Sequence, residues 1–265
     1  MEASTASVVE QQVVHGGYHV LELDAPGIAP LVRPGQFVHV RIPHMEEALL
    51  RRPFSVYRTE GPRLLILYKD VGKGTRTMTY LQPGDVLSLI GPLGNGYPDP
   101  AAGHEPVLVA GGYGMAALYL LARELPAPGV AFFGGRTACD ILCVAEFEAL
   151  GWNVQVATED GSLGYRGRVT GLLDQWWAQR GATPPVEAYA CGPNAMLRAV
   201  ADRAIERDWR AWVSVDRNMG CGVGACLTCV LRVRSADGGW VWQRACKDGP
   251  VFESRQVCWE LEEEA

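Results

Sequence analysis

The sequence contains no apolar run long enough for a membrane-spanning helix. Its longest stretch without a charged residue, Pro106 to Ala122, falls short of about 18 residues and carries three glycines. That composition predicts a strand, a glycine turn and a helix instead. The opening MEASTASVVEQQVV lacks a basic segment followed by an apolar one, so no secretory signal and a cytoplasmic location are expected. There is no excess of positive charge: 24 Lys plus Arg against 30 Asp plus Glu leave a net charge of -6. Such a chain repels a phosphate backbone, which argues against nucleic acid as a partner. Internal repeats and low-complexity tracts are also missing. With 48% hydrophobic and 20% charged residues, the composition is not that of a disordered chain. The 265 residues exclude a disulfide-stapled miniprotein and, at ~150 residues per domain, allow one to two domains of ordinary size.

Helix-length segments are scarce in residues 1–100. Short strand-like runs (YHVLEL, QFVHVRI, FSVYR, RLLILY and DVLSLI) alternate with the turn dipeptides Pro34-Gly35, Gly61-Pro62, Pro83-Gly84 and Gly91-Pro92. The spacing predicts an antiparallel β-barrel. Over residues 101–212 the rhythm changes to apolar strand then amphipathic helix, as in PVLVAGG and AALYLLAREL, GVAFFGG and AEFEALG, WNVQVAT and VTGLLDQWWAQR, VEAYACG and NAMLRAVADRAIERD. This alternation predicts an α/β domain with a parallel sheet covered by helices. Residues 213–265 form a third segment, rich in Gly and Cys, with two strand-like runs, TCVLRVR and GWVWQRA. A unit this small calls for a metal staple.

Five of the eight cysteines lie after residue 220, and in a reducing compartment they read as free thiols or metal ligands. Cys221, Cys226 and Cys229 are spaced C-x4-C-x2-C, and Cys246 follows after residues 230–245. Four thiolates at this spacing match plant-type ligation of a [2Fe-2S] cluster, two sulfurs to each iron. The glycines of CGVGAC let the backbone curl and aim N–H groups at the sulfides. A zinc site with four cysteine ligands is the competing reading, although zinc ribbons favour paired C-x2-C knuckles. Cys139 and Cys143 read as buried small hydrophobes. Cys258 reads either in that way or as a thiol approaching the cluster.

In RRPFSVYR, Arg52 offers a planar donor for a diphosphate, and Ser55 a hydroxyl for a flavin ring nitrogen. The two are three residues apart, so in an ideal strand they face opposite sides and share one ligand only if the strand start is irregular. A strand-edge Arg in a surface ion pair explains Arg52 equally well. The following YKDVGKGT supplies a second anion-binding loop of backbone N–H groups. Two such elements on neighbouring strands point to a phosphate-bearing cofactor. VLVAGGYGMAALYLL places Gly111, Gly112 and Gly114 at a strand-to-helix turn, as a dinucleotide requires, but without G-x-G-x-x-G spacing. Close strand and helix packing accounts for such a turn too. YACGPNAML puts Cys191, Gly192 and Pro193 at the carboxyl edge of the predicted sheet, where ligands bind in such folds. TEDGSLGYRG brings Asp160 and Gly161 near that edge.

Together RRPFSVYR, YKDVGKGT, LIGPLGNGY, ATEDGSLGYRG, YACGPNAM, MGCGVGACLTC and CKDGPVF resemble the ferredoxin reductase family in its version with a C-terminal cluster domain. Within it the sequence is similar to the electron transfer subunits of NAD-dependent dihydroorotate dehydrogenases. GPLGNGY and CKDGPVF are the most diagnostic stretches, because flavin binding in general demands neither. The resemblance implies FAD held by Arg52, Pro53, Phe54 and Ser55, with Ser55 beside flavin N5, then by Leu67, Tyr68 and Lys69, and by Gly74 and Thr75. It implies a [2Fe-2S] cluster on Cys221, Cys226, Cys229 and Cys246. NAD would approach across Gly111, Gly112, Gly114, Asp160, Gly161, Cys191, Gly192 and Pro193. Two departures stand out: where relatives read GGxGxAPL, this chain has Tyr113 at the variable position and Ala117 in place of Pro. The terminal aromatic that covers the flavin in plant-type reductases has no counterpart.

The implied activity is that of an oxidoreductase subunit in pyrimidine (UMP) biosynthesis. Electrons would pass from reduced FMN on a dihydroorotate dehydrogenase catalytic subunit through the cluster and FAD to NAD+. A TIM barrel for FMN takes about 250 residues, which this chain cannot spare, so a partner is required; a heterotetramer with two of each subunit is expected. Met219, Trp240, Trp242 and Trp259 would line the contact, unless the two tryptophans at alternate strand positions, Trp240 and Trp242, are core. Two other readings remain open: a subunit of a ferredoxin- or sulfide-linked NAD(P)H reductase, and a non-enzymatic zinc-binding regulatory module.

Overall fold

A computed structural model describes residues 2–45, 49–181 and 184–262. Strands β1 (Glu2–Val13), β2 (Tyr18–Asp24), β3 (Phe37–Arg41), β4 (Arg52–Ser55), β5 (Arg58–Glu60), β6 (Arg63–Lys69) and β7 (Val86–Leu93) form one antiparallel sheet in the order β4-β3-β7-β1-β2-β6-β5. A short helix, α1 (Lys73–Met78), follows β6. Alternation sets the inner face: Leu21 and Leu23, Leu64 and Ile66, and Leu87 and Leu89 are buried in one core with Val38 and Val40. β6 is apolar on both faces from Leu64 to Leu67 because Leu65 and Leu67 pack from its other face against the second sheet.

The two edge strands, β4 and β5, are consecutive in the chain. Between them Val56 N–H donates to Gln36 O at 3.2 Å, and Tyr57 N–H donates to Leu65 O on β6 at 2.9 Å. The sheet therefore curls until its edges meet through this dipeptide. Among the described residues no ladder pairs β4 with β5, so the predicted barrel takes the form of a curled antiparallel sheet.

The second sheet contains β8 (Glu105–Gly111), β9 (Val130–Gly135), β10 (Asn153–Thr158), β11 (Tyr165–Arg166), β12 (Val186–Cys191) and β13 (Arg210–Ser214), all parallel. Helices α2 (Gly114–Ala117), α3 (Tyr119–Glu124), α4 (Val144–Ala149), α5 (Val169–Gln179) and α6 (Asn194–Glu206) connect them. Val107 and Val109 pack with Leu173 of α5 and Leu197 and Val200 of α6, while Leu108 and Ala110 pack with Met115, Leu118 and Phe147. Covered on both faces, β12 is buried at every position, as a central parallel strand requires. Pro106 to Ala122 folds as the strand, turn and helix its composition predicts. No helix among the described residues is long and apolar enough to cross a membrane.

The chain then forms the hairpin β14 (Val230–Arg234) and β15 (Trp240–Arg244), followed by β16 (Val251–Glu253) and α7 (Trp259–Glu262). β16 pairs antiparallel with β13, with Val213 opposite Phe252, and completes the second sheet in the order β11-β10-β9-β8-β12-β13-β16. The sheet is thus mixed. Leu231, Val233 and Ala245 join the same core as Val213, so the third segment shares the burial of its larger neighbour.

Candidate flavin, nucleotide and cluster site

A cavity of about 770 Å³ lies where the three parts meet. Its walls are Arg52 to Ser55 on β4, Leu67 to Lys69 at the end of β6, the Val71 to Thr75 loop, Tyr113, Ala116 and Ala117, Cys191 and Gly192, and the Ser214 to Gly220 link. Arg52 and Ser55 share the cavity although they are three apart, because β4 is a four-residue edge strand with no ladder on its outer side. Arg52 Nη1 donates to Leu50 O at 2.9 Å. A methyl group built on Gly74 would lie 3.8 Å from Arg52 Nε, so guanidinium and loop adjoin at one corner of the cavity. Thr75 shapes that loop: its Oγ1 accepts from Val71 N at 2.9 Å and Gly72 N at 3.1 Å.

Tyr68 stacks on His19 with ring centroids 5.2 Å apart and meets Phe54 edge-on. Burial raises its phenol pKa. Lys69 also lines the cavity, but its ammonium donates to Asp140 Oδ1 at 2.8 Å across the junction between the sheets.

At the carboxyl edge of the second sheet the glycines are packing residues. A side chain on Gly114 would run into Cys191 O, and one on Gly111 would lie 2.9 Å from Pro193 Cδ. The two turns therefore interlock, which by itself accounts for glycine at positions 111 and 114. Gly112 has a φ of 56°, within the left-handed region that favours glycine. Cys191 is buried, which pushes its thiol up to about 12, a neutral thiol at the cavity wall. Gly111, Gly112, Gly114, Pro193, Asp160 and Gly161 do not line the cavity. Asp160 lies exposed beyond β10, where its Oδ1 accepts from Ser162 N at 2.9 Å.

The residues that sequence reasoning missed lie mainly in the link VSVDRNMG. Asp216 lines the cavity wall, where the surrounding protein raises its carboxyl pKa by desolvation. Arg217, Asn218, Met219 and Gly220 continue this wall into the first cysteine of the cluster motif. The polar run between an apolar strand and a ligand cysteine was the only available signal.

All eight cysteines are free. Within the motif the thiols come in two pairs, Cys221 hydrogen-bonded with Cys226 and Cys229 with Cys246. Among the described residues no three His, Cys, Asp or Glu side chains converge as ligands of one metal ion. A zinc site needs four ligands on one centre, whereas a two-iron cluster takes two thiolates on each iron, so the pairs fit the cluster. The donors also fit: Val223 N, Ala225 N and Cys226 N donate to Cys221 Sγ at 3.4, 3.2 and 3.4 Å. Burial alone would raise the Cys221 pKa, but these N–H groups hold it below the usual value. The Thr228 hydroxyl, 3.2 Å from Cys226 Sγ, brings that thiol down to about 6. Cys246 is the exception, pushed up to about 12 by burial, a cost that iron ligation would remove. Gly222 and Gly224 have φ of 71° and 85°, as the curl of the loop requires.

Outside the motif, Cys139 is exposed rather than buried, Cys143 is half-buried, and Cys258 is buried with its N–H on Arg232 O. Trp259 is a core residue whose Nε1 donates to Ser254 O at 3.0 Å. Trp240 and Trp242 remain exposed.

The two sheets, the cavity between them and the paired thiols define a ferredoxin-reductase-like oxidoreductase with a C-terminal iron–sulfur segment. Residues 216–258 match the iron-sulfur cluster binding domain of dihydroorotate dehydrogenase B. The dihydroorotate dehydrogenase B (NAD(+)) electron transfer subunit of Desulforamulus reducens is 39% identical over 262 residues, covering 96% of this chain and 98% of that protein. The subunit of the same name from Geobacillus thermodenitrificans is 38% identical, covering 95% and 96%. The chain belongs to this family of electron transfer subunits. Among solved structures it is similar to a chain of an NADH-dependent reduced ferredoxin-NADP oxidoreductase, with a TM-score of 0.85 and 29% identity over 98% of this chain and 91% of that one. The ferredoxin reductase of a carbazole 1,9a-dioxygenase shares the fold over 78% of this chain and 66% of that one, with a TM-score of 0.66 and 22% identity.

Proposed function

We propose that this chain takes electrons from the reduced FMN of a dihydroorotate dehydrogenase catalytic subunit and delivers them to NAD+. The observation that carries the reading is the placement of the thiol pairs beside the cavity: Gly220 and Thr228, each next to a ligand cysteine, share a wall with Ser55 and Cys191. Cys221, Cys226, Cys229 and Cys246 hold the [2Fe-2S] cluster. Arg52, Gly74 and the backbone of the Gly72 to Thr75 loop hold the FAD diphosphate, Pro53 and Phe54 shape the wall of the ring site, and Ser55 lies at flavin N5. Leu67, Tyr68 and Lys69 line the rest. When bound, the flavin exchanges electrons singly or in pairs and the cluster exchanges them singly, which matches a one-electron donor to a two-electron acceptor.

The chain's own residues bind, orient and exclude solvent. Cys191 keeps its proton, so the nucleotide side of the cavity carries no thiolate to repel a dinucleotide. NAD lies along the edge formed by Gly111, Gly112, Gly114, Cys191, Gly192 and Pro193, with Asp160 and Gly161 further out. Tyr113 stands at the opening of the cavity, and Ala117 fills the place of a proline without unravelling α2. The division into segments 1–100, 101–212 and 213–265 follows these three tasks, and the working assembly is a heterotetramer of two of each subunit.

Purified protein analysed for iron and flavin, then assayed for NAD+ reduction with dihydroorotate, with and without the FMN subunit, tests the proposal. Stoichiometric iron and FAD with partner-dependent turnover are expected. Turnover with ferredoxin or sulfide in place of the FMN subunit would move the assignment to the other reductases, and a colourless zinc protein would overturn it.

A further inference from the structure

Apart from Cys246 and Pro250, which lines the cavity, the stretches GPLGNGY and CKDGPVF have no assigned role in holding FAD, NAD or iron, yet they are each other's partner. Asn95 makes three hydrogen bonds with the turn after the fourth ligand. Its N–H donates to Gly249 O at 2.7 Å, its Nδ2 to Asp248 O at 2.8 Å, and its Oδ1 accepts Val251 N–H at 3.2 Å. The remaining motif residues allow this contact. A methyl group on Gly94 would lie 2.5 Å from Pro250 Cδ, and one on Gly96 would lie 2.6 Å from Pro34 O. Tyr97 OH donates to Ala190 O at 3.3 Å, one residue before Cys191.

The turn is clamped in its own right. Asp248 Oδ2 accepts Arg244 N at 2.8 Å and Nε at 2.7 Å, and its Oδ1 accepts Nη2 at 2.9 Å. Cys246 sits midway between these two residues. Arg244 Nη1 then donates to Gly224 O at 3.3 Å, inside the loop between Cys221 and Cys226. A single chain of polar contacts thus runs from Gly224 through Arg244 and Asp248 to Asn95, at the exit of strand β7 of the flavin-side sheet.

We infer that Asn95 is a positioning residue for electron transfer: with Asp248 and Arg244 it fixes the fourth-ligand turn on the flavin-side sheet and so sets the separation between cluster and flavin. The inference rests on the proposed occupancy of the two sites but not on the identity of the partner subunit. Electron transfer slows as donor and acceptor move apart, so loosening of the shell that holds the turn is read in that rate, and Asn95 contributes the side-chain bonds that tie this turn to the exit of β7.

The test uses the iron- and FAD-loaded protein alone, with NADH as reductant. NADH reduces the flavin, and single electrons then pass to the oxidised cluster; absorbance follows the first event and freeze-quench paramagnetic resonance the second. Asn95→Ala is expected to leave flavin reduction unchanged, to slow cluster reduction a few-fold, and to raise hydrogen exchange over residues 246–251. Wild-type cluster reduction and exchange in an iron-loaded variant would overturn the inference. Should Asn95→Ala fail to fold, the isosteric Asn95→Asp, which loses the donor to Asp248 O and keeps the acceptor for Val251 N–H, carries the same two outcomes. Wild-type protein without iron or flavin would instead defeat the functional reading beneath it.

Discussion

Lys69 Nζ and Tyr18 OH both donate to one oxygen of Asp140, at 2.8 and 3.2 Å. Lys69 and Tyr18 belong to the first sheet and Asp140 to the loop after β9, so this trio joins the flavin-side and nucleotide-side sheets. The Lys69 ammonium also lies 4.5 Å from the Tyr18 ring centroid. Removing the shared acceptor leaves the buried Tyr18 and the half-buried Lys69 without it. Asp140→Ala is expected to destabilise the protein by about 1–3 kcal/mol, read by thermal unfolding. An unchanged midpoint would show that the trio adds nothing to the junction.

A second carboxylate provides the clearest pH dependence. Asp174 on α5 receives Arg203 Nε at 2.7 Å and Nη2 at 2.6 Å, and Arg207 as well, both from α6 or its end. Burial alone would raise its pKa, but these guanidinium groups hold it below the usual carboxylate value. A depressed folded-state pKa contributes stability that is present above the unfolded value, near 3.9, and is lost as pH falls through the folded value. Denaturant unfolding should therefore show Asp174→Asn less stable than wild type at pH 7. The gap should shrink as the pH drops below about 4. A gap independent of pH would contradict the ionic origin.

The proposed function divides the eight cysteines into four ligands and four bystanders. Replacing Cys221, Cys226, Cys229 or Cys246 singly by Ser should strip most of the iron and bleach the visible spectrum, because one of the two irons would lose one of its two protein thiolates. Cys139→Ser and Cys258→Ser should retain full iron. Iron content and the visible spectrum check both sets. Retention of iron in Cys246→Ser would exclude its assignment as the fourth ligand.

What was legible in the sequence was what is local. The ligand spacing lies within one short loop and its return strand, so Cys221, Cys226, Cys229 and Cys246 could be read directly. β12 was legible because a strand buried on both faces reads as a nearly continuous apolar run, interrupted here by Glu187. β16 was not: its three residues pair with β13, which lies far back in the chain, and no local pattern marks them. The GGYG turn was ambiguous for the same reason, since what excludes a side chain at Gly114 is the backbone of Cys191. Asp216 belongs to no motif, and its place on the cavity wall comes from the path of the link between β13 and the cluster loop. The meeting of GPLGNGY with CKDGPVF was hidden in the same way, although both stretches stood out.

The hairpin β14–β15 presents the remaining surface with a testable role. Leu231 and Val233 face the core, so Arg232, Trp240 and Trp242 lie on the opposite, solvent face. Arg232 sits 5.1 and 5.0 Å from the Trp240 and Trp242 ring centroids, and the two rings meet edge-on at 5.3 Å. At its near end this face reaches Arg244, which touches the cluster loop through Gly224 O. Cys226 and Leu227 are exposed on that loop. Aromatic and Arg side chains held rigid before binding are the residues that dominate protein interfaces. Under the proposed function, Trp242→Ala should weaken association with the FMN subunit by about 2 kcal/mol or more, a roughly thirtyfold rise in Kd. NADH-driven dye reduction by the isolated chain should not change. Titration calorimetry against the FMN subunit checks the first expectation, and unchanged affinity in both Trp240→Ala and Trp242→Ala would place the docking surface elsewhere.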